Sequence, residues 1–208
     1  VAVDERRQPL EPEKPKPPPV KVPEGQEPDI PKDEKIVLKE LKGLAFVGTK
    51  EDVEKVPAPG LTIKNCPLLD SKAFREKMNL FLEKPASLKV VREIAKAVIK
   101  ECRQQDRPFV SVSLPEQEIT QGIIQFLVIE GRVSEVKVEG NKYFSAQQYT
   151  GKVNLKPGDQ ISEKALIKDV NRINENIFRQ VKPVFKPGKE LGTTDLTLKT
   201  EERFPVRF

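Results

Sequence analysis

Few side chains in this sequence are equipped for chemistry. There is no histidine, the commonest general base and metal ligand, and no G-x-S-x-G turn or Gly-rich phosphate loop occurs. Adjacent carboxylates such as Glu201-Glu202 stand among Lys and Arg and read as solvated surface charge. Two thiols remain, Cys66 and Cys102. They can form a disulfide between the segments that carry them, or stay as one buried and one partly exposed thiol. No catalytic residue, cofactor or metal is expected.

The elements that position these residues follow from the pattern of the chain. Of its 208 residues, 37 are Lys or Arg and 32 Asp or Glu, a net charge of +5. The signs alternate and no basic run carries interleaved aromatics, so nucleic acid is not an expected partner. No stretch approaches the ~18 apolar residues of a spanning helix. No Met-initiated signal peptide is present, and the start at Val1 reads as a processed or excised, soluble piece. Residues 1–35 hold Pro9, Pro12, Pro15, Pro17, Pro18, Pro19, Pro23, Pro28 and Pro31, the composition of an extended tether. Pro15-Lys16-Pro17-Pro18 has the spacing of a docking ligand, a pattern common by chance in so rich a tract.

From Ile36 onward the second half of the chain restates the first. Ile36-Val37-Leu38 and Leu41 read as a strand ending at Gly43, and 49–67, with Pro57, Pro59, Gly60 and Pro67, as an insertion loop. Asp70 would cap a helix from Ser71 to about Glu83 that buries Phe74, Met78, Leu80 and Phe81. A second helix, Leu88 to Gln104, places Val91, Ile94, Ala95, Val98 and Ile99 on one face. Phe109 to Leu114 and Gly122 to Ile129 then form a hairpin.

In the second copy, Val133 to Val138 is a strand and Ser145 with Gln148 a capping box. Ser162 opens a helix with Leu166, Val170, Ile173 and Ile177 on one side, and Val181 to Phe185 with Leu196 to Thr200 closes the unit. Pairing Gly43-Leu44-Ala45-Phe46 with Gly140-Asn141-Lys142-Tyr143-Phe144 leaves roughly 22 extra residues in the first copy, assigned to the insertion. The order is β-α-α-β-β twice, an α+β fold in which two helices cover each three-stranded mixed sheet.

That order, with a Gly-x-x-aromatic turn after the first strand, resembles the polypeptide-transport-associated (POTRA) domain. A further series consists of Val128-Ile129-Glu130-Gly131-Arg132-Val133, Val136-Lys137-Val138-Glu139-Gly140-Asn141, Lys156-Pro157-Gly158-Asp159, Pro187-Gly188 and Gly192-Thr193-Thr194-Asp195-Leu196. It is similar to the periplasmic part of TpsB transporters of two-partner secretion, the hemolysin-activator type. The resemblance implies a linker at 1–35, one POTRA domain at 36–130 with its insertion, and a second at 131–203. It also implies an outer-membrane β-barrel whose approach begins at 204–208.

The same resemblance implies a periplasmic monomer that captures an unfolded secreted partner with an N-terminal secretion domain and hands it to the barrel. A related possibility is the POTRA array of an outer-membrane protein assembly factor, and another a POTRA scaffold subunit without transport. In such modules the strand before the hairpin lies at a sheet edge where an extended client can add. Here that strand is Phe109-Val110-Ser111-Val112-Ser113. Val184 and Phe185 mark a second edge, weakened by Pro183. In the periplasm, Cys66 and Cys102 are expected to pair, stapling the insertion to the helix for about 4 kcal/mol by the chain-entropy estimate.

Overall fold

The protein is described here from a computed structural model, which covers residues 28, 30, 36–54, 57–190 and 192–204. Most of the Pro-rich segment, including its docking-ligand pattern, and residues 205–208 at the expected barrel approach lie outside the described residues.

Two α+β modules succeed one another along the chain. The first contains β1 (Ile36–Leu38), β2 (Gly43–Val47), β3 (Gly60–Lys64), α1 (Lys72–Asn79), β4 (Ala86–Ser87), α2 (Leu88–Gln104), β5 (Val110–Ser113) and β6 (Ile123–Glu130). The second contains β7 (Arg132–Glu139), α3 (Ala146–Thr150), α4 (Glu163–Asn174), β8 (Arg179–Pro187) and β9 (Thr193–Glu202). Serines start the longer helices because their extended backbone lets the hydroxyl turn back on the first turn. Ser71, Ser87 and Ser162 each accept from the amide three residues on, of Phe74, Val90 and Ala165.

The second sheet has the three strands expected, in the order β7-β9-β8, with β7 parallel and β8 antiparallel to β9. The first has four, in the order β3-β2-β6-β5. Its additional strand comes from the stretch expected to be a loop. Gly60, at φ +90°, opens it, and Leu61-Thr62-Ile63-Lys64 then alternates as a strand parallel to β2.

The repeat register also differs from the one read in the sequence. Ile36–Leu38 joins only β4, in a separate two-stranded ribbon, and the first strand of the main sheet is the fully buried Gly43–Val47. The structural counterpart of Gly140, which comes after β7, is therefore Gly48 after β2 rather than Gly43 within it. Gly140 sits at φ +85°, and a Cβ there would lie 2.6 Å from the Thr200 carbonyl oxygen.

Each module has its own core. In the first, Phe46 of β2 lies between Phe74 of α1 and Phe126 of β6, with ring centroids 5.5 and 5.4 Å away. Val91, Ile94, Ala95, Val98 and Cys102 present the buried face of α2 to that sheet. Ile30, read as linker, is buried in the same core. The second core joins Tyr149, Leu166, Val170 and Ile173 to Val181, Leu196 and Leu198.

Three local expectations fail for identifiable reasons. Ser71 rather than Asp70 caps α1, because the Asp70 carboxylate is held by Arg75 at 2.6 Å. The helix ends at Asn79, so Leu80 falls in the turn beyond it and is 66% exposed. Ile177 lies beyond the end of α4 and is likewise exposed.

Candidate functional site

β5 is a sheet edge. It pairs with β6 on one side, and among the described residues no strand lies on the other. In an antiparallel ladder alternate residues turn both backbone groups to the same neighbour. The Gly131 amide donates to the Phe109 carbonyl at 2.7 Å, which fixes the phase. Ser111 and Ser113 therefore spend their N–H and C=O groups on β6, and Val110 and Val112 turn theirs to the open side. Their side chains meanwhile are buried in the core at 2% and 1% exposure, so the edge is anchored by the residues that offer the free groups.

The strand stops where Pro115 has no amide to give, and Gln117 completes the ladder. Its side-chain amide donates to the Gln125 carbonyl at 2.8 Å and accepts from the Gln125 amide at 2.6 Å, standing in for the missing strand residue.

The corresponding edge in the second module, β8, is largely closed. The Gly188 amide donates to the Thr193 carbonyl, so the odd-numbered residues of β8 face outward. Two of these, Pro183 and Pro187, lack an amide. Both outward groups of Val181 are taken by the Asn174 side chain, and the Arg179 amide donates to the Asn176 carbonyl. Of the odd residues, Phe185 keeps an outward amide. Its ring packs 4.5 Å from that of Phe109, so Phe185 serves the joint between modules, whereas Val184, an even-numbered residue, turns its backbone groups inward to β9 and offers no open edge.

A further edge, absent from the sequence-based expectations, lies at β3. The Gly60 amide donates to the Lys42 carbonyl, which turns Leu61 and Ile63 outward. The alternation of Leu61 to Lys64 is its signal in the sequence.

β5 leads directly into the joint between the modules. A cleft of about 310 Å³ at its start is lined by Phe109, Val110 and Ser111 and, from the second module, by Pro187, Gly188 and Thr193. Asp106, at the end of α2, reaches across to the start of α4. One of its oxygens accepts from the Lys164 amide at 2.9 Å and the other from the Ser162 hydroxyl. Burial pushes its carboxyl up, but these bonds with the Lys164 and Arg107 charges outweigh burial and hold it below the ordinary carboxylate value. Gln160 bonds Glu130 across the same joint at 2.7 Å.

Cys66 and Cys102 stand as free thiols, both buried, lining one cleft of about 290 Å³. Burial, and secondarily the Glu130 charge, pushes Cys66 up to about 11 and Cys102 to about 12. No group of residues suited to hold a metal occurs among the described residues. None of the described helices is long and apolar enough to cross a membrane.

Residues 131–203 match the family model "POTRA: Surface antigen variable number repeat". No curated protein matches the chain. Among solved structures, CdiB from Escherichia coli superposes with a TM-score of 0.62 at 13% identity, over 86% of this chain and 30% of that one. POTRA1-3 of the periplasmic domain of Omp85 from Anabaena superposes at 0.55 and 17% identity, over 81% and 67%. The N-terminal domain of Omp85 from Thermosynechococcus elongatus does so at 0.52 and 14%, over 84% and 78%. The chain thus spans under a third of CdiB and more than two thirds of the Omp85 pieces, and it shares their fold.

Proposed function

We propose that the chain, whose residues 131–203 match a POTRA family model and whose fold is that of solved POTRA regions, is the periplasmic polypeptide-binding portion of an outer-membrane protein transporter. It captures an unfolded secreted partner as an added strand on β5 and delivers it to a β-barrel. The observation that carries this reading is the contrast between homologous edges. β5 offers the unused backbone groups of Val110 and Val112, whereas prolines and Asn174 close β8. An extended chain gains affinity from main-chain bonds and needs no fixed sequence, which suits a binder of unfolded polypeptide. The second module, closed at that edge, couples the first to the barrel.

The secretion series from Val128 to Leu196 favours a two-partner transporter. Likeness to the Omp85 periplasmic domains supports a second reading, an array that receives barrel precursors during outer-membrane assembly. Amide exchange with tiled peptides tests the site under either reading. Peptides from a large secreted protein encoded beside the chain and peptides from outer-membrane barrel strands are the two probes. Protection gained at the Val110 and Val112 amides is expected, and the probe that gives it separates the readings. Binding that leaves both amides unprotected would overturn the β5 site.

A further inference from the structure

Cys66 and Cys102 carry an inference that goes beyond the polypeptide site. They are the only cysteines in 208 residues. Cys66 ends the excursion that contains β3, and Cys102 lies on the buried face of α2. Both line the same cleft beside Leu68, Leu69 and Val128, on the side of the sheet where α2 packs. The segment after Cys66 is already fastened to that helix. The Gln105 side chain donates to the Leu68 carbonyl at 2.5 Å, the Ser71 hydroxyl bonds Glu101 at 3.2 Å, and Leu69 is fully buried.

We propose that this pair is a thiol–disulfide site whose oxidation locks the extra strand β3 onto α2, and so keeps the edge of β2 covered. Cys66, the slightly exposed thiol, is the entry point at 6%, against 0% for Cys102. Its thiolate attacks an exchangeable small-molecule disulfide, releasing one thiol and leaving a mixed disulfide on Cys66. The Cys102 thiolate then attacks the Cys66 sulfur and releases the second thiol. Two protein thiols are thereby oxidised and one external disulfide is reduced to two thiols. Both protein thiols are held protonated by burial, so exchange proceeds through local opening of β3 and is slow.

The test uses the whole chain equilibrated with oxidised or reduced glutathione, quenched in acid, unfolded and alkylated. The oxidised sample should take up no alkyl group until reductant is added, and then two. Its melting temperature should rise by on the order of 10 °C over the reduced chain. Exchange of the β3 amides should slow in parallel. Two alkyl groups at equilibrium, a persistent glutathione adduct, or an unchanged or lower melting temperature would each overturn the proposal. Cys66→Ser, which must abolish the difference between the two conditions, provides the control. Because the oxidised and reduced forms of the unaltered chain are compared directly, the test stands even if that variant folds poorly.

Discussion

Asn174 holds Val181 as a neighbouring strand would. Its side-chain oxygen accepts from the Val181 amide at 2.7 Å, and its side-chain nitrogen donates to the Val181 carbonyl at 3.2 Å. Val181 is buried at 2% exposure, so truncation of Asn174 strands two backbone groups where water reaches poorly. Asn174→Ala should cost about 1–3 kcal/mol, read as a lower urea midpoint. The Val181 amide should lose its exchange protection, and Asn174→Asp, which keeps the acceptor, should retain part of it. A midpoint and protection both unchanged in Asn174→Ala would contradict this account of the closed edge.

The phase of the β5 ladder gives a second expectation. In the free chain the Ser111 and Ser113 amides should be protected, while those of Val110 and Val112 exchange fast despite the burial of their side chains. Side-chain burial alone would predict the reverse order, so site-resolved hydrogen exchange decides between them. Gln117→Ala should in turn release the Gln125 amide, leaving Val128 and Ile129 unaffected.

Much of this architecture is legible from spacing. Helix α2 emerges at the residues its apolar face dictates, since five buried side chains at helical intervals leave little freedom in register. Phe109–Ser113 stands out as a strand because two prolines bracket an alternating run, while its place at the sheet edge follows from the family resemblance and not from spacing. The first strand is easily misplaced because Gly43-Leu44-Ala45-Phe46-Val47 is buried on both faces and so shows no alternation. β3 is hidden because prolines on both sides make its alternation look like loop. Closure of β8 by Asn174 has no sequence signal, as one polar residue at a helix end is ordinary there. The prolines of β8 carry more information than their number suggests: an interval of four puts Pro183 and Pro187 on the same side of the strand.

Glu202, the last residue of β9, gathers the turn after β7. Its carboxylate accepts from the amides of Lys142 at 2.7 Å and Tyr143 at 2.5 Å, and from the Tyr149 hydroxyl at 2.5 Å. Burial pushes its carboxyl up, but the Tyr143 amide, the Tyr149 hydroxyl and the neighbouring amides prevail and hold it below its ordinary 4.5. A depressed carboxylate stabilises fully above its unfolded value and loses that contribution as pH falls through its lower folded value. Glu202→Ala should lower the stability of the second module by about 2–3 kcal/mol at neutral pH and flatten its dependence on pH below 4.5. Glu202→Gln should fall between the two chains. An unaltered acid limb in Glu202→Ala would remove the assignment.

Asp106 makes the joint between modules sensitive to acid in the same sense. Its backbone sits at φ +65°, a conformation Asp tolerates, and this aims its carboxylate away from α2 toward the start of α4. The carboxylate is held below its ordinary 3.8, so the clasp is complete above that pH and is lost as pH falls through the lower folded value. Asp106→Asn keeps the shape and the backbone conformation but removes the charge. It should speed exchange of the Lys164 amide by about tenfold at neutral pH, the equivalent of ~1.4 kcal/mol. It should also let the two modules take divergent alignment in residual dipolar couplings. The Phe109 and Phe185 rings still touch in this variant, so the modules should stay associated while their relative angle broadens. If Asp106→Asn leaves the Lys164 amide and the alignment unchanged, the angle is set instead by the ring contact and the Gln160–Glu130 bond.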